Sequence, residues 1–203
     1  MRIGVLGGTF DPIHFGHLIV AELCRDELGL DRVHFIPAAS PPHKQGHIIS
    51  PARDRLEMVQ LAISGQSAFH LDRREQTRTG PSFTVQTLNE LHHEYPDADL
   101  NFLMGADSLR DFLTWKDPAE IARLATLVVC NRPGVAVPST EQVVAWVGPD
   151  IATRVRTVQI PGLELSGTEL RARVAASRTI RFLVPRAVEV YISEQGLYRS
   201  GMT

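Results

Sequence analysis

Residues 7–17 read GGTFDPIHFGH and follow directly on the apolar run Ile3-Gly4-Val5-Leu6. A buried strand that runs straight into two glycines, a proline and two histidines three residues apart carries more chemistry than a turn requires. Gly7 and Gly8 end the strand with residues that lack a Cβ, so a ligand can come up against the backbone. Pro12 sets a rigid entry to a helix that the pattern starts near Gly16, which puts His14 just before the first helical turn and His17 within it. The first N–H groups of a helix have no intrahelical partner and the dipole is positive at that end, so an anion is favoured there. Two imidazoles add donors aimed at the same place.

Outward from this stretch, short apolar runs suited to buried strands recur at residues 2–6, 32–37, 69–72, 100–105, 126–131 and 154–160. Helical patterns lie between and after them, at 16–28, 51–64, 82–95, 107–113, 140–147 and 166–175, and a terminal helix is expected over 183–191 with a proline near its start. Strands alternating with helices of this length imply βαβ units and a mostly parallel sheet covered on both faces. The expected fold is a doubly wound α/β domain, Rossmann-like, with all 203 residues in a single domain. Two loops follow strands where such sheets line a ligand crevice: 38–48 (AASPPHKQGHI), a segment able to fold over a site, and 132–139 (RPGVAVPS).

Bulk composition narrows the partners. Charged residues are 22% of the chain and the formal net charge is -2, which gives no field for a nucleic-acid polymer or a membrane surface, so an anion site has to be built locally. Cys24 and Cys130 sit in apolar surroundings without a CxxC, and read as core fillers in a reducing compartment. No apolar run approaches the ~18 residues of a membrane span, and no signal peptide is recognisable, so the expected location is the cytoplasm. A zinc site needs more ligands than His14 and His17 supply; there is no HExxH. Gly4, Gly7 and Gly8 do not space as GxGxxG, and GxxxxGK[ST] is absent. What survives is a phosphate site with histidine donors and no protein-held metal.

His14-Phe15-Gly16-His17 resembles the HxGH signature of the nucleotidyltransferase superfamily. Further stretches resemble the bacterial nicotinate-nucleotide adenylyltransferases, in the family's order: PPHK at 41–44, EQTRTGPSFTVQT at 75–87, GAD at 105–107, Trp115-Lys116, Arg132 and SGTELR at 166–171. Two positions depart from that pattern. Gly167 stands where many members have serine, and Phe83 where tyrosine is common.

The resemblance implies transfer of AMP from ATP to the 5′-phosphate of nicotinate mononucleotide, giving nicotinate adenine dinucleotide and pyrophosphate, with Mg²⁺ carried in on ATP. It implies His14, His17, Lys44 and Arg171 as the catalytic set, with Lys44 on the β- and γ-phosphates. Gly7, Gly8, Thr9, Phe10, Gly16, Gly105, Asp107, Ser166 and Thr168 would hold ATP, Gly105 and Asp107 at its ribose. The pyridine nucleotide would meet Phe83, Thr84, Trp115, Lys116 and Arg132: the indole on the ring, backbone amides on the carboxylate, Arg132 on the phosphate. The carboxyl-terminal part from about 166 would complete the phosphate site. Three rivals remain open: nicotinamide mononucleotide as acceptor, a phosphopantetheine adenylyltransferase, and a non-catalytic nucleotide sensor. A homo-oligomer is also left open.

Overall fold

In the computed structural model, which describes residues 1–40, 49–131, 138–161 and 164–199, β1 (Arg2–Gly8) is a central strand. It pairs in parallel with β2 (Arg32–Pro37), Ile3 opposite Arg32, and on its other edge with β4 (Asp99–Gly105), Arg2 opposite Asp99. β3 (Phe69–Leu71) extends the sheet beyond β2, while β5 (Ala125–Asn131) and β6 (Val155–Gln159) extend it beyond β4. The order is β3-β2-β1-β4-β5-β6 with every pairing parallel. The chain therefore reverses its direction of travel across the sheet between β1 and β4, and ligands of doubly wound sheets bind at the carboxyl ends of the strands flanking such a point.

Both faces of the sheet are buried because alternate strand residues feed two cores. On one face Leu6, Leu103, Val128 and Val158 pack under α1 (Phe15–Leu28), α2 (Ala52–Ile63), α8 (Gly167–Ala175) and α9 (Arg186–Glu194). On the other, Val5, Phe102, Leu127 and Val129 pack under α3 (Thr84–Glu94), α4 (Ala106–Arg110), α5 (Pro118–Leu124) and α6 (Thr140–Val147). A short α7 (Pro149–Ala152) leads into β6. Gly29 stops α1 in a left-handed cap (φ 61°) that returns the chain to β2.

The six strands and most helices fall where the hydrophobic pattern puts them; besides the short α7 and a 3₁₀ turn at Arg74–Thr77, which the pattern does not mark, there are three differences. The helix expected over 107–113 is α4 followed by a 3₁₀ turn, Phe112–Thr114. α5 forms where the pattern gives a loop, although Pro118 in its first turn is a recognised helix-start signal. The terminal helix begins at Arg186, after its proline, because Pro185 caps it. Cys24 and Cys130 are buried as expected, yet they also meet: their Sγ atoms are 3.5 Å apart across the sheet–α1 contact. Among the described residues no helix is long and apolar enough to cross a membrane.

Candidate active site

The turn after β1 delivers both histidines to the crevice. Phe10 takes a left-handed backbone (φ 51°), a cost of about 1–3 kcal/mol for a non-glycine residue that its buried ring offsets. The following Asp11-Pro12 bond is cis. His14 is the extended N-cap of α1 and His17 its third residue, so the imidazoles stack, 3.8 Å between centroids and 29° between planes. The His14 backbone N–H donates to Nδ1 of His17 at 3.2 Å. That bond makes Nδ1 an acceptor, so in the neutral ring Nε2 carries the proton and His17 is oriented as a hydrogen-bond donor through Nε2. The Phe10 ring backs His17 edge-on at 5.0 Å.

A second helix N-terminus closes on this turn. The Ser166 hydroxyl caps α8 by accepting from the Glu169 N–H at 3.1 Å, which leaves its own O–H available. Arg171, one turn on, donates from Nη1 to the Asp11 carbonyl at 2.7 Å and from Nη2 to the Thr168 hydroxyl at 3.3 Å. Approach is this close only because residue 167 is glycine. A Cβ there would lie 2.7 Å from the Asp11 carbonyl oxygen, inside contact distance.

Between the two helix ends lies a cavity of about 390 Å³ lined by His14, Gly16, His17, Gly105, Ser166 and Gly167, among others. A smaller cavity of about 120 Å³ is lined by Gly8, Glu75, Ser82, Thr84 and Thr87. Gly7, Phe102 and Trp115 line both, so the two are neighbours across the β1–β4 switch. Trp115 is held there edge-on to Phe102 at 6.0 Å and tilted on Phe112 at 5.7 Å. Lys116 places its ammonium 4.7 Å from the centre of the Phe83 ring, at the N-cap of α3. The first-turn N–H groups of α3 beside Thr84 are thus a further anion-favouring end.

The candidate residues divide by placement. His14, Gly16, His17, Gly105 and Ser166 line the larger cavity; Gly8 and Thr84 line the smaller; Gly7 and Trp115 line both. Phe10 presents its ring to the core, and Thr9 supplies a carbonyl to a buried arginine. Thr168 reaches the site through Arg171. Asp107 stands apart: its side chain is 97% exposed, 3.8 Å from Arg110. Lys44 and Arg132 lie outside the described residues.

Two residues that carried no expectation are built into the site. Arg55, buried at 2% exposure on α2, donates to the carbonyls of Thr9 (2.9 Å), Ala38 (2.8 Å) and Ser50 (3.1 Å), tying the β1 turn to the end of β2. Burial pushes its pKa down while the nearby Asp11 charge pulls the other way. A lone arginine on a helical pattern reads as solvated, so no sequence signal marks it. Glu75 lies under the smaller cavity, where its Oε1 accepts from the buried Thr87 hydroxyl at 2.6 Å. Among the described residues no three His, Cys, Asp or Glu side chains gather as metal ligands.

The Cytidylyltransferase-like family model matches residues 5–173. A protein of Thermomicrobium roseum called "Probable nicotinate-nucleotide adenylyltransferase" is 49% identical over 199 residues, covering 98% of this chain and 92% of that one. One of the same name from Thermus thermophilus is 45% identical, covering 98% of this chain and 100% of that one. Among solved structures, Plasmodium falciparum nicotinic acid mononucleotide adenylyltransferase complexed with NaAD superposes with a TM-score of 0.80 at 17% identity, covering 97% of each chain.

Proposed function

The chain belongs to the cytidylyltransferase-like family, among the nicotinate-nucleotide adenylyltransferases, and on that premise we propose how its crevice transfers the AMP moiety of ATP to the 5′-phosphate of nicotinate mononucleotide. The observation that carries the reading is the meeting of two helix N-termini across one cavity, His14 and His17 on one and Ser166 and Arg171 on the other, with a second cavity adjoining at Trp115. The acceptor phosphate is ionised at neutral pH, so no side chain has to create a nucleophile. Catalysis reduces to alignment and charge neutralisation.

ATP lies in the larger cavity with its phosphates between the helix ends, and its Mg²⁺ arrives as part of the substrate. His17 donates from Nε2, and His14 beside it, to the α-phosphate as charge grows in the in-line transition state. Arg171, held by Asp11 and Thr168, neutralises the polyphosphate, and Lys44 serves the β- and γ-phosphates. In this assignment the segment from about 166 completes the phosphate site of a single domain, and Asp107 meets the ribose after turning from its exposed position. The pyridine nucleotide occupies the smaller cavity, with the Trp115 ring on the pyridine and the N–H groups around Phe83, Thr84 and Lys116 on its carboxylate; Arg132 takes its phosphate.

The α3 N-terminus discriminates between acceptors. A carboxylate accepts from those N–H groups, whereas the nicotinamide NH₂ sets donor against donor. One buried donor left unsatisfied costs roughly 1–3 kcal/mol and the charge-assisted bond to the carboxylate is lost as well, which together correspond to about tenfold or more in kcat/KM. The test is pyrophosphate release from MgATP with nicotinate mononucleotide, nicotinamide mononucleotide and phosphopantetheine in parallel. Release chiefly with the first, at least ~10-fold over the second, is expected. Release with none of them, while ATP still binds, leaves a nucleotide sensor in its place.

A further inference from the structure

Asp11 lies in the middle of the histidine-bearing turn, yet at 5% exposure it faces away from solvent. Its carboxylate is engaged from two remote parts of the chain. The Tyr198 hydroxyl donates to Oδ1 at 2.6 Å, and the Ser50 N–H donates to Oδ2 at 3.3 Å. Its backbone carbonyl holds Nη1 of Arg171 at 2.7 Å, with the same nitrogen 3.9 Å from Oδ2. Tyr198 comes 187 positions later, beyond α9, in a left-handed conformation (φ 64°) with its hydroxyl also 3.9 Å from Sδ of Met58. A tyrosine keeps such a backbone only where the surroundings hold it. Burial, and then the Asp11 charge, push its phenol well above its ordinary pKa, so the hydroxyl is a donor at every working pH.

We propose that Tyr198 is a positioning residue for adenylyl transfer: its hydroxyl fixes the Asp11 carboxylate, and the Asp11 carbonyl in turn holds Arg171 against the His14–His17 helix end. The inference rests on the function proposed above. With the hydroxyl gone, Asp11 has one neutral donor fewer, its peptide gains freedom, and the guanidinium loses a fixed acceptor. A charge-assisted bond to a rigid carbonyl is a geometric constraint as well as an attraction. Losing it loosens an arginine that meets the polyphosphate of bound ATP and meets it more strongly as charge grows in the transition state, so the defect falls on kcat and on ATP-analogue affinity and spares the KM for nicotinate mononucleotide.

Tyr198→Phe keeps the ring and removes the contact. It is expected to lower kcat about tenfold, with the KM for nicotinate mononucleotide changed less than about twofold, because a donor acting on transition-state charge is only displaced and not removed. In an Arg171→Ala background the same change is expected to cost less than about twofold more, since the two act in series. Asp11→Asn, which keeps the shape and weakens the charge-assisted bonds, should show the same non-additivity if Tyr198→Phe fails to fold. Affinity for a non-hydrolysable ATP analogue, measured in the same four proteins of the cycle, reads the coupling without turnover. Full additivity of Tyr198→Phe with Arg171→Ala, or native kcat in folded Tyr198→Phe, overturns the proposal. An unmodified protein that binds the analogue but releases no pyrophosphate overturns the transfer reaction instead, and the binding cycle still decides on Tyr198.

Discussion

Gly167 stands where the sequence resemblance leads one to expect serine, and the structure turns that difference into a measurable requirement. An added Cβ would sit 2.7 Å from the Asp11 carbonyl oxygen and 3.3 Å from Nη1 of Arg171, against 3.4 Å for ordinary contact. α8 and the β1 turn would have to part by about 0.7 Å, and overpacking of this kind costs about 1–3 kcal/mol. Alanine returns up to ~1 kcal/mol of helix propensity, leaving a net loss of up to about 2 kcal/mol. At about 2–4 °C per kcal/mol for a chain of this length, Tm falls by up to roughly 8 °C. The same displacement stretches the 2.7 Å bond from Arg171 to Asp11 past the range of a charge-assisted hydrogen bond. With Arg171 in its proposed catalytic role, misplacing it by that much is expected to lower kcat by about 10- to 100-fold. The assay is thermal unfolding alongside steady-state pyrophosphate release for Gly167→Ala and Gly167→Ser. Serine supplies the hydroxyl that the resemblance leads one to expect but carries the same Cβ, so it should fare no better than alanine. A Gly167→Ser protein with native Tm and native turnover would refute the clearance argument.

His17→Ala is expected to lower turnover by ~10²-fold or more in a protein that still folds, because one donor to transition-state charge is lost; native turnover in that variant would assign the histidine to the cap alone. Trp115→Ala should raise KM for nicotinate mononucleotide up to about tenfold and also raise KM for ATP, since the ring lines both cavities and an aromatic contact is worth about 0.5–1.5 kcal/mol; a defect confined to ATP would remove the indole from the acceptor side. Asp72 is a stability probe away from the site: burial raises its pKa, but hydrogen bonds from Nδ1 of His34 (3.0 Å) and Nε of Arg74 (2.8 Å) overcome that and hold it well below the usual carboxylate range. A depressed carboxyl stabilises the fold above its unfolded pKa of about 3.9, and the contribution is lost as pH falls toward the folded value. Asp72→Asn should therefore destabilise by about 2–3 kcal/mol at pH 7, with the gap to the unmodified protein narrowing below about pH 4 in denaturant titrations; a gap that stays constant down to about pH 3 would contradict the assignment.

Much of the architecture and the placement of the candidate site's central residues are legible in the amino-acid sequence because both rest on local rules. Strand and helix periods are written in successive side chains, and the turn proposed to bind phosphate is assembled from neighbours: glycine, proline and two histidines within residues 7–17 need only fold locally to bring N–H groups and imidazoles together. α5 escapes the pattern for a local reason too, since its seven residues are too few to show a helical period and only Pro118 in its first turn marks a start. What only the tertiary structure decided are the contacts between segments that packing alone makes adjacent. The β3-β2-β1-β4-β5-β6 order sets β1 beside β4, and hence the crevice, although 90 residues of chain lie between Gly8 and Asp99. Arg55 became a buried clamp because three carbonyls from separate segments converge on it. Gly167 reads as a missing hydroxyl until Asp11 is seen against it, and Tyr198 reads as a tail residue until its hydroxyl is found on that same aspartate. Periodicity says which face of an element is buried; it carries no information on which distant polar atom will be waiting there, because that is set when both faces of the sheet close at once.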